Sequence, residues 1–367
     1  MQEAWQPVGM VLGASLCALA LMQMATRLSR WWLRTAREHR QYEKRRAAFG
    51  AQVQAALRRA QARRAQVAWE GLRPFRVAAV VDEAIDVKSF YLTAADGLSL
   101  PPFEPGQYLT FHLDVPGATN EVVRCYSLSD RPRTDYYRVT VKWLAAPADR
   151  PELPAGLASH YLHDSIHVGD ILQVAAPRGT FILDPLSDRP IVLIGAGIGI
   201  TPLLSMLNTI VENSEQREVH MLLGMQNGRH HPFKDHLEEI AGAHDNVHYH
   251  ASYSTPLADD RIGVDYQAAG RISLERIRKL LPSNNYEFYV CGPGEMMQSL
   301  VPQLLEWGVP EEHIHYEAFG PASVKIGAQG EQLVDPCEVC FAQRGCSFTW
   351  DGSYDSLLEF GEANGVE

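Results

Sequence analysis

The rhythm of hydrophobic and polar positions changes three times along the chain. Residues 8–25 form an uncharged, mostly apolar run, just long enough to cross a bilayer as one helix. Residues 26–67 are rich in Ala, Arg and Gln, all strong helix formers, with apolar positions recurring weakly at Phe49, Val53 and Leu57. From Arg73-Pro74 onward, short apolar runs are punctuated by turn residues such as Pro101, Pro102, Pro105, Gly106, Pro116 and Gly117. Strands are expected at 75–81, 89–93, 108–113, 122–128, 136–142 and 171–175, with one helix near 158–164. Six short strands without helical crossovers predict a small antiparallel β-barrel. From Pro190 the pattern becomes alternating strand and helix. Strands are expected at 191–195, 219–224, 247–254 and 287–291, with helices at 202–213, 233–241, 274–281 and 295–307. That order predicts an α/β doubly wound parallel sheet.

Composition adds little to this, but charge does. The 367 residues are 46% hydrophobic and 21% charged, which is globular with room for two or three domains. Residues 1–70 hold 12 of the 33 Lys and Arg against 4 of the 44 Asp and Glu, and the other residues hold 21 against 40. A basic N-terminal piece is therefore joined to an acidic body. The acidic body excludes nucleic acid as a partner, because such binding needs cations to displace counterions. The 6 scattered cysteines form no disulfide framework and fit a reducing compartment.

The apolar run at 8–25 has Glu3 on its near side and Arg27, Arg30, Arg34, Arg37 and Arg40 on its far side. The positive-inside rule makes it a single-pass membrane anchor with its N-terminus outside and the following domains cytoplasmic. Trp31 and Trp32 sit where an interfacial aromatic belt belongs. A cleavable signal peptide and a buried soluble helix are the competing readings, although a signal peptide carries its cations before the apolar core. The stretch after it reads as an exposed helical stalk, either a solvated spacer or a segment lying on anionic membrane lipid.

Candidate chemistry centres on Val122–Asp130, read V-V-R-C-Y-S-L-S-D. Arg124 and Tyr126 share one face of a strand. A cation beside a flat ring suits a ligand with both a phosphate and a planar heterocycle, and Ser127 could reach a ring nitrogen. The same run is also compatible with an ordinary edge strand. Gly156 to Ser159 opens the one barrel helix, either as a pyrophosphate site at a helix N-terminus or as a loop with a capping serine. The strand-to-helix turn G-A-G-I-G-I-T-P places Gly195, Gly197 and Gly199 where bare backbone can approach a pyrophosphate, and Thr201 adds a hydroxyl. Pro202 stands where the third glycine of the common dinucleotide fingerprint would be. It costs nothing in the first turn of a helix. Cys291-Gly292-Pro293 ends a parallel strand at its carboxyl end, where ligands bind in such sheets. Cys291 is either a core residue or faces a bound ligand. Arg229, beside His230 and His231, is a weak candidate for a 2′-phosphate, so NADH is preferred to NADPH. His230, His231, His244, His248 and His250 have no compact metal spacing. They read as solvated, and no metal site is expected.

R-C-Y-S-L-S resembles the R-x-Y-S flavin signature of the ferredoxin–NADP⁺ reductase superfamily, and G-x-G-x-T-P is that superfamily's form of the glycine turn. P-G-Q-Y-L-T-F (105–111) and S-H-Y-L-H-D-S-I-H-V-G-D (159–170) are most similar to the reductase module of flavohaemoglobins. The resemblance covers roughly 75–321. It implies that Arg124 contacts the FAD pyrophosphate, Tyr126 stacks on the isoalloxazine and Ser127 bonds near N5. Val141 and Lys142 line the flavin, and Gly156 and Ser159 complete the phosphate site. It also implies that Gly195, Gly197, Gly199, Thr201 and Pro202 hold the nucleotide. Cys291, Gly292 and Pro293 border the nicotinamide, and Glu317 and Phe319 lie at the flavin. Ser127, Cys291 and Glu317 are the expected catalytic residues.

Beyond Pro321, F-x(6)-T-W-D-G and S-L-L-E-F-G-E-A-N-G-V resemble the opening hairpin and helix of a plant-type [2Fe–2S] ferredoxin. Cys337, Cys340 and Cys346 do not have that family's ligand spacing and read as strand cysteines. The ligand loop is not in the sequence, so a cluster is expected only in a longer parent chain, and the half-domain is expected to leave its core open. The expected organisation is an anchor (1–25), a stalk (26–72), an FAD barrel (73–186), an NAD domain (187–321) and a linker with a partial β-grasp ferredoxin-like fragment (322–367). Such a chain passes electrons from NADH through FAD to an iron–sulfur domain or an unidentified acceptor protein, with an oxygenase, a haem protein or a quinone system as candidates. A nitric-oxide-related reductase needing a separate haem partner and a respiratory quinone-reductase subunit are rivals. A membrane-tethered flavin sensor or scaffold without turnover is the alternative of a different class.

Overall fold

A computed structural model of the chain describes residues 69–118, 120–145, 156–185, 187–319, 337–341, 344–350, 360–361 and 363–364. The expected anchor and nearly all of the stalk lie outside the described residues. Among the described residues no helix is long and apolar enough to cross a membrane.

The barrel strands are β1 (Leu72–Ala84), β2 (Val87–Ala94), β3 (Tyr108–Leu113), β4 (Val122–Ser127), β5 (Tyr137–Lys142) and β6 (Ile171–Arg178). They pair antiparallel in the order β4-β3-β6-β1-β2-β5. A bridge between Leu128 and Val139 joins the two edges and closes the barrel. Closure leaves no long unpaired edge to template aggregation. Alternating inward residues, among them Phe75, Val77, Phe90, Leu92, Leu109 and Phe111, are fully buried and form the barrel core. Strand β1 runs longer than expected at both ends, with register shifts at Val77/Ala79 and Asp82/Ala84 that bend it. The folded body also begins earlier than expected. Trp69 packs on Phe75 and donates from Nε1 to the Val174 carbonyl. Helix α1 (Leu157–Ser165) lies between β5 and β6.

The second sheet is parallel throughout, in the order β10-β9-β8-β7-β11-β12. Its strands are β7 (Ile191–Ala196), β8 (Val219–Met225), β9 (Val247–Tyr253), β10 (Ala268–Ala269), β11 (Glu287–Pro293) and β12 (Ile314–Phe319). Helices α2 (Ile200–Glu212), α3 (Lys234–Ala243), α4 (Leu274–Leu280) and α5 (Gly294–Glu306) connect them. The continuous apolar run of β7 has a physical cause, because both faces are covered. Ile191 and Leu193 enter one core, and Val192 and Ile194 enter the other. Helix α2 presents Leu203, Leu204, Leu207 and Ile210 at helical spacing, all fully buried, each contributing about 1.5–3 kcal/mol. It starts at Ile200 rather than Pro202, so proline occupies the third helical position, still among the turn's orphan N–H groups. The chain leaves β7 toward β8 and β9 and returns on the other side as β11. The switch point is therefore the crevice beyond the carboxyl ends of β7, β8 and β11.

A hairpin follows, β13 (Cys337–Phe341) with β14 (Cys346–Trp350). Cys337 and Cys340 lie on its first strand and Cys346 on its second. Against the expectation of an open core, Phe360 is only 2% exposed. It sits among Phe341, Phe348 and Trp350, with ring centroids 6.3, 6.3 and 5.1 Å away. Four aromatic side chains supply enough apolar area for a small local core.

Candidate functional site

Strand β4 is where the barrel meets ligand chemistry. Arg124 is exposed, and its Nη1 donates to the Val123 carbonyl at 2.8 Å. One N–H of a five-donor guanidinium is thereby used, and the rest suit a phosphate. Tyr126 is half-buried beside Phe111, edge to face at 5.4 Å, and burial pushes its phenol up to about 12. The neutral ring is thus a stacking surface rather than an acid. Ser127 is buried and pairs with Tyr108 across the ladder. Burial raises the Tyr108 pKa first, and the neighbouring Cys125 and Glu317 add to that rise. The charge of Glu317, on β12, is thus felt at the barrel residue opposite Ser127, although the two are far apart in sequence.

Glu317 Oε2 is buried without a hydrogen-bond partner among the described residues. Burial pushes its carboxyl up to about 7 from an ordinary 4.5. The folded value lies above the unfolded one, so between those values the folded chain binds more protons. Stability then falls as pH rises from about 4.5 to 7 and stays reduced above. Glu317→Gln should be about as stable as the parent at pH 4 and more stable at pH 8 by roughly 3 kcal/mol. Urea unfolding midpoints at the two pH values measure this, and equal midpoints at pH 8 would refute the buried carboxylate.

The glycine turn is fixed by packing. Gly197 has φ +54°, a left-handed conformation suited to glycine. At Gly199 an added Cβ would lie 2.3 Å from the Cys291 carbonyl oxygen, so the turn sits directly on the end of β11. At Gly195 it would press on Leu223 and Leu203 at 2.9 and 3.0 Å. A cavity of about 310 Å³ opens beside Ala196, Gly197, Gly224, Gln226, Pro293 and Met296, at the carboxyl ends of β7, β8 and β11. Arg271 and Glu295 also line it, and its position at the strand ends fits a nicotinamide nucleotide. The orphaned Glu317 oxygen and the Arg124–Tyr126 face fit a flavin nucleotide.

Several expected ligand groups are committed elsewhere. The Thr201 hydroxyl donates to the Ile198 carbonyl at 3.0 Å, so it closes the turn and its donor is not free for phosphate. Ser159 Oγ donates to the Gly156 carbonyl at 2.8 Å and accepts from the Leu144 amide, which makes it a structural cap. Gly156 is the helix N-cap, and a Cβ there would strike Ser159 Oγ at 2.7 Å. The Val141 side chain is in the barrel core and its carbonyl faces His163 Nε2, so any lining role falls to its backbone. Lys142 pairs with Asp86 at 3.3 Å. Cys291 is fully buried in the core of the parallel sheet, and burial, then Glu317, raises its thiol pKa. Gly292 packs against Ala196 and Met296, and Pro293 ends the strand opposite Phe319, which leans on the same core.

The solvated reading is corrected for His231, whereas His248 is exposed. His231 is buried between the Tyr253 and Tyr249 hydroxyls, 2.8 and 2.6 Å away, and burial depresses it to about 4. His230 lies 3.1 Å from Asp86 of the barrel, and the Arg229 carbonyl accepts from the Ile85 amide. This loop is a contact with the barrel through its backbone and His230, while the Arg229 side chain is exposed.

Sequence reasoning missed the joint between the two domains. Asp130 Oδ1 accepts from Asn208 Nδ2 at 2.9 Å and its carbonyl accepts from Ser205 Oγ at 2.7 Å, both on α2. Tyr136 donates to Oδ2 at 2.8 Å, and Arg138 lies 4.0 Å from Oδ1. The available signal was Ser205 and Asn208, polar residues three apart on an otherwise apolar helix face.

Residues 75–182 match the oxidoreductase FAD-binding domain family and residues 193–301 the oxidoreductase NAD-binding domain family. A flavohemoprotein of Halalkalibacterium halodurans is 41% identical over 254 residues, 69% of this chain and 61% of the relative. A flavohemoprotein of Chromobacterium violaceum is 40% identical over 252 residues, again 61% of its length. The chain thus spans about three fifths of these curated relatives. The crystal structure of the flavohem-like FAD/NAD-binding domain of nitric oxide dioxygenase from Vibrio cholerae is 33% identical, is covered completely by 69% of this chain, and has a TM-score of 0.61. Phthalate dioxygenase reductase is 25% identical, with 81% of this chain and 82% of that one covered and a TM-score of 0.54. The chain therefore belongs to the ferredoxin–NADP⁺ reductase superfamily, as an FAD- and NADH-binding oxidoreductase whose reductase module is of the flavohaemoglobin type.

Proposed function

We propose that this chain is a membrane-anchored NADH:acceptor oxidoreductase that delivers electrons to an iron–sulfur domain or to a separate oxygenase, haem or quinone-linked partner. The observation that carries the reading is the cavity at the carboxyl ends of β7, β8 and β11, beside the glycine turn, in a chain whose barrel presents Arg124 and Tyr126 on β4. NADH in that cavity and a flavin on Arg124 and Tyr126 would lie next to each other. Bound FAD supplies the conversion of a two-electron hydride donor into single-electron transfers.

The chain's own part is positioning. Arg124 holds a phosphate and Tyr126 offers its neutral ring. Ser127 places a hydroxyl at the strand end. Glu317, with a pKa near neutrality, keeps a proton on a buried carboxyl at the domain junction. The glycine turn holds the nucleotide pyrophosphate with backbone N–H groups. Ser127, Cys291 and Glu317 frame the transfer path, Cys291 by its backbone against Gly199.

The acceptor reading draws on the C-terminal hairpin. Phthalate dioxygenase reductase, described as a modular structure for electron transfer from pyridine nucleotides to [2Fe-2S], aligns over 81% of this chain, against 69% for the reductase-only domain. The anchor reading draws on the apolar run at 8–25 and its flanking arginines.

Steady-state oxidation of NADH with ferricyanide as a one-electron acceptor tests turnover. Sustained turnover is expected, and reduction that stops after one equivalent identifies a flavin sensor instead. Deleting residues 1–25 should move this activity from the membrane to the soluble fraction. Activity already soluble in the intact chain contradicts the anchor.

A further inference from the structure

We infer a transition-metal site, formed by Glu218, His220 and His248, at the amino ends of β8 and β9. The sheet register brings the three together. His220 pairs directly with His248 across two parallel strands, and Glu218 lies two residues before His220, on the same face. Glu218 Oε1 is 2.7 Å from His220 Nε2 and 3.9 Å from His248 Nε2. One ligand atom from each residue falls within 4.8 Å of the other two. Zinc in a tetrahedral site holds nitrogen and oxygen donors about 3.3 Å apart. Both Glu218 spacings differ from that by only about 0.6 Å, within reach of the half-exposed Glu218 side chain.

A hydrogen-bonded cluster without an ion leaves one feature unexplained. The two imidazole rings lie 4.8 Å apart at 37°, sharing one carboxylate that bonds only one of them. An ion between the rings gives both imidazoles a common partner. Tyr286 meets the His220 ring edge-on at 5.6 Å and holds it from one side. Such outer contacts orient metal ligands.

Two imidazoles and a carboxylate select zinc, cobalt or nickel over magnesium and calcium, which prefer all-oxygen shells. Three protein ligands leave a fourth position for water, with His250 on the same strand face nearby. The site lies at the end of the sheet opposite the nucleotide cavity, so occupancy ties β8 to β9 without obstructing NADH. Binding to the folded state alone stabilises it in proportion to the logarithm of metal concentration.

The test uses the full-length flavin-loaded protein without a histidine tag, stripped with a chelator. Zn²⁺ is titrated calorimetrically, thermal midpoints are recorded, and Co²⁺ serves as a spectroscopic probe. One equivalent of Zn²⁺ should bind and raise the thermal midpoint. His248→Gln and Glu218→Gln should each weaken binding at least tenfold while leaving NADH oxidation unchanged. His248 is exposed, so its variant tests ligation without disturbing the core. Co²⁺ should show nitrogen and oxygen ligation without thiolate charge-transfer bands. No stabilisation by Zn²⁺, equal affinity in both variants, or thiolate bands placing the ion on Cys337, Cys340 or Cys346 would each overturn the site.

Discussion

Gly199→Ala is expected to cut kcat/KM for NADH by about 100-fold or more while leaving the flavin content intact. A methyl group at that position would lie 2.3 Å from the Cys291 carbonyl oxygen, 2.6 Å from its carbon and 2.8 Å from Gly292 Cα. All three are backbone atoms of β11, held by ladder bonds to β7 on one side and β12 on the other. None can swing aside as a flexible side chain would. The turn must therefore lift off the strand end, and the N–H groups that would hold a pyrophosphate move with it. A displacement of about 1 Å at a positioning element is enough for a hundredfold loss. The barrel is untouched by this change, so flavin absorbance per protein stays as in the parent. Steady-state kinetics with a spectrum of the same sample reads both. Unchanged NADH kinetics would mean that the turn does not hold the nucleotide.

Asp130→Ala is expected to destabilise the protein by about 3–5 kcal/mol, the cost of breaking a buried charge network from one side. The Arg138 and Asp130 side chains are only 9% and 13% exposed. Removing the carboxylate takes a close counter-charge from Arg138 and leaves Asn208 and the Tyr136 hydroxyl each without this acceptor. Because Asn208 belongs to α2, the loss falls on the joint between barrel and sheet. Reduction by NADH should slow even where the fold survives. Burial alone raises the Asp130 pKa, but Arg138, the Tyr136 hydroxyl and the Asn208 amide outweigh it and hold the carboxyl below its ordinary value. The stability it contributes is thus present above the unfolded value near 3.9 and is lost as pH falls through the folded one. Urea unfolding of variant and parent at pH 7 and pH 3 measures this. The gap should be smaller at pH 3 than at pH 7, and a gap unchanged between the two would contradict the charge network.

Both sites show what a sequence can and cannot carry. Periodicity placed nearly every strand and helix within a few residues, because β7 and α2 are buried in ways that force their apolar patterns. The two-residue β10, Ala268–Ala269, has no pattern to read. The glycine turn and the Arg124–Tyr126 face were legible because a local motif carries its own geometry. The Asp130 joint and the Glu218–His220–His248 group were not. Each is assembled across strands or domains, and its members are ordinary residues until the register sets them side by side. The histidines illustrate the point. Spacing along the chain suggested a solvated set, whereas sheet pairing buries His231 between two tyrosines and puts His220 against His248. Local hydroxyls misled in the opposite direction. Thr201 and Ser159 occupy the expected motif positions, but their donors are spent on their own turns.

The most direct measurement is the visible spectrum of the purified chain before and after NADH is added without oxygen. The account predicts flavin bands at first, bleached promptly by one equivalent of NADH, with Tyr126→Ala losing the bands and Gly199→Ala keeping them but bleaching slowly. A preparation without flavin bands, or bands that persist with NADH, would contradict the account.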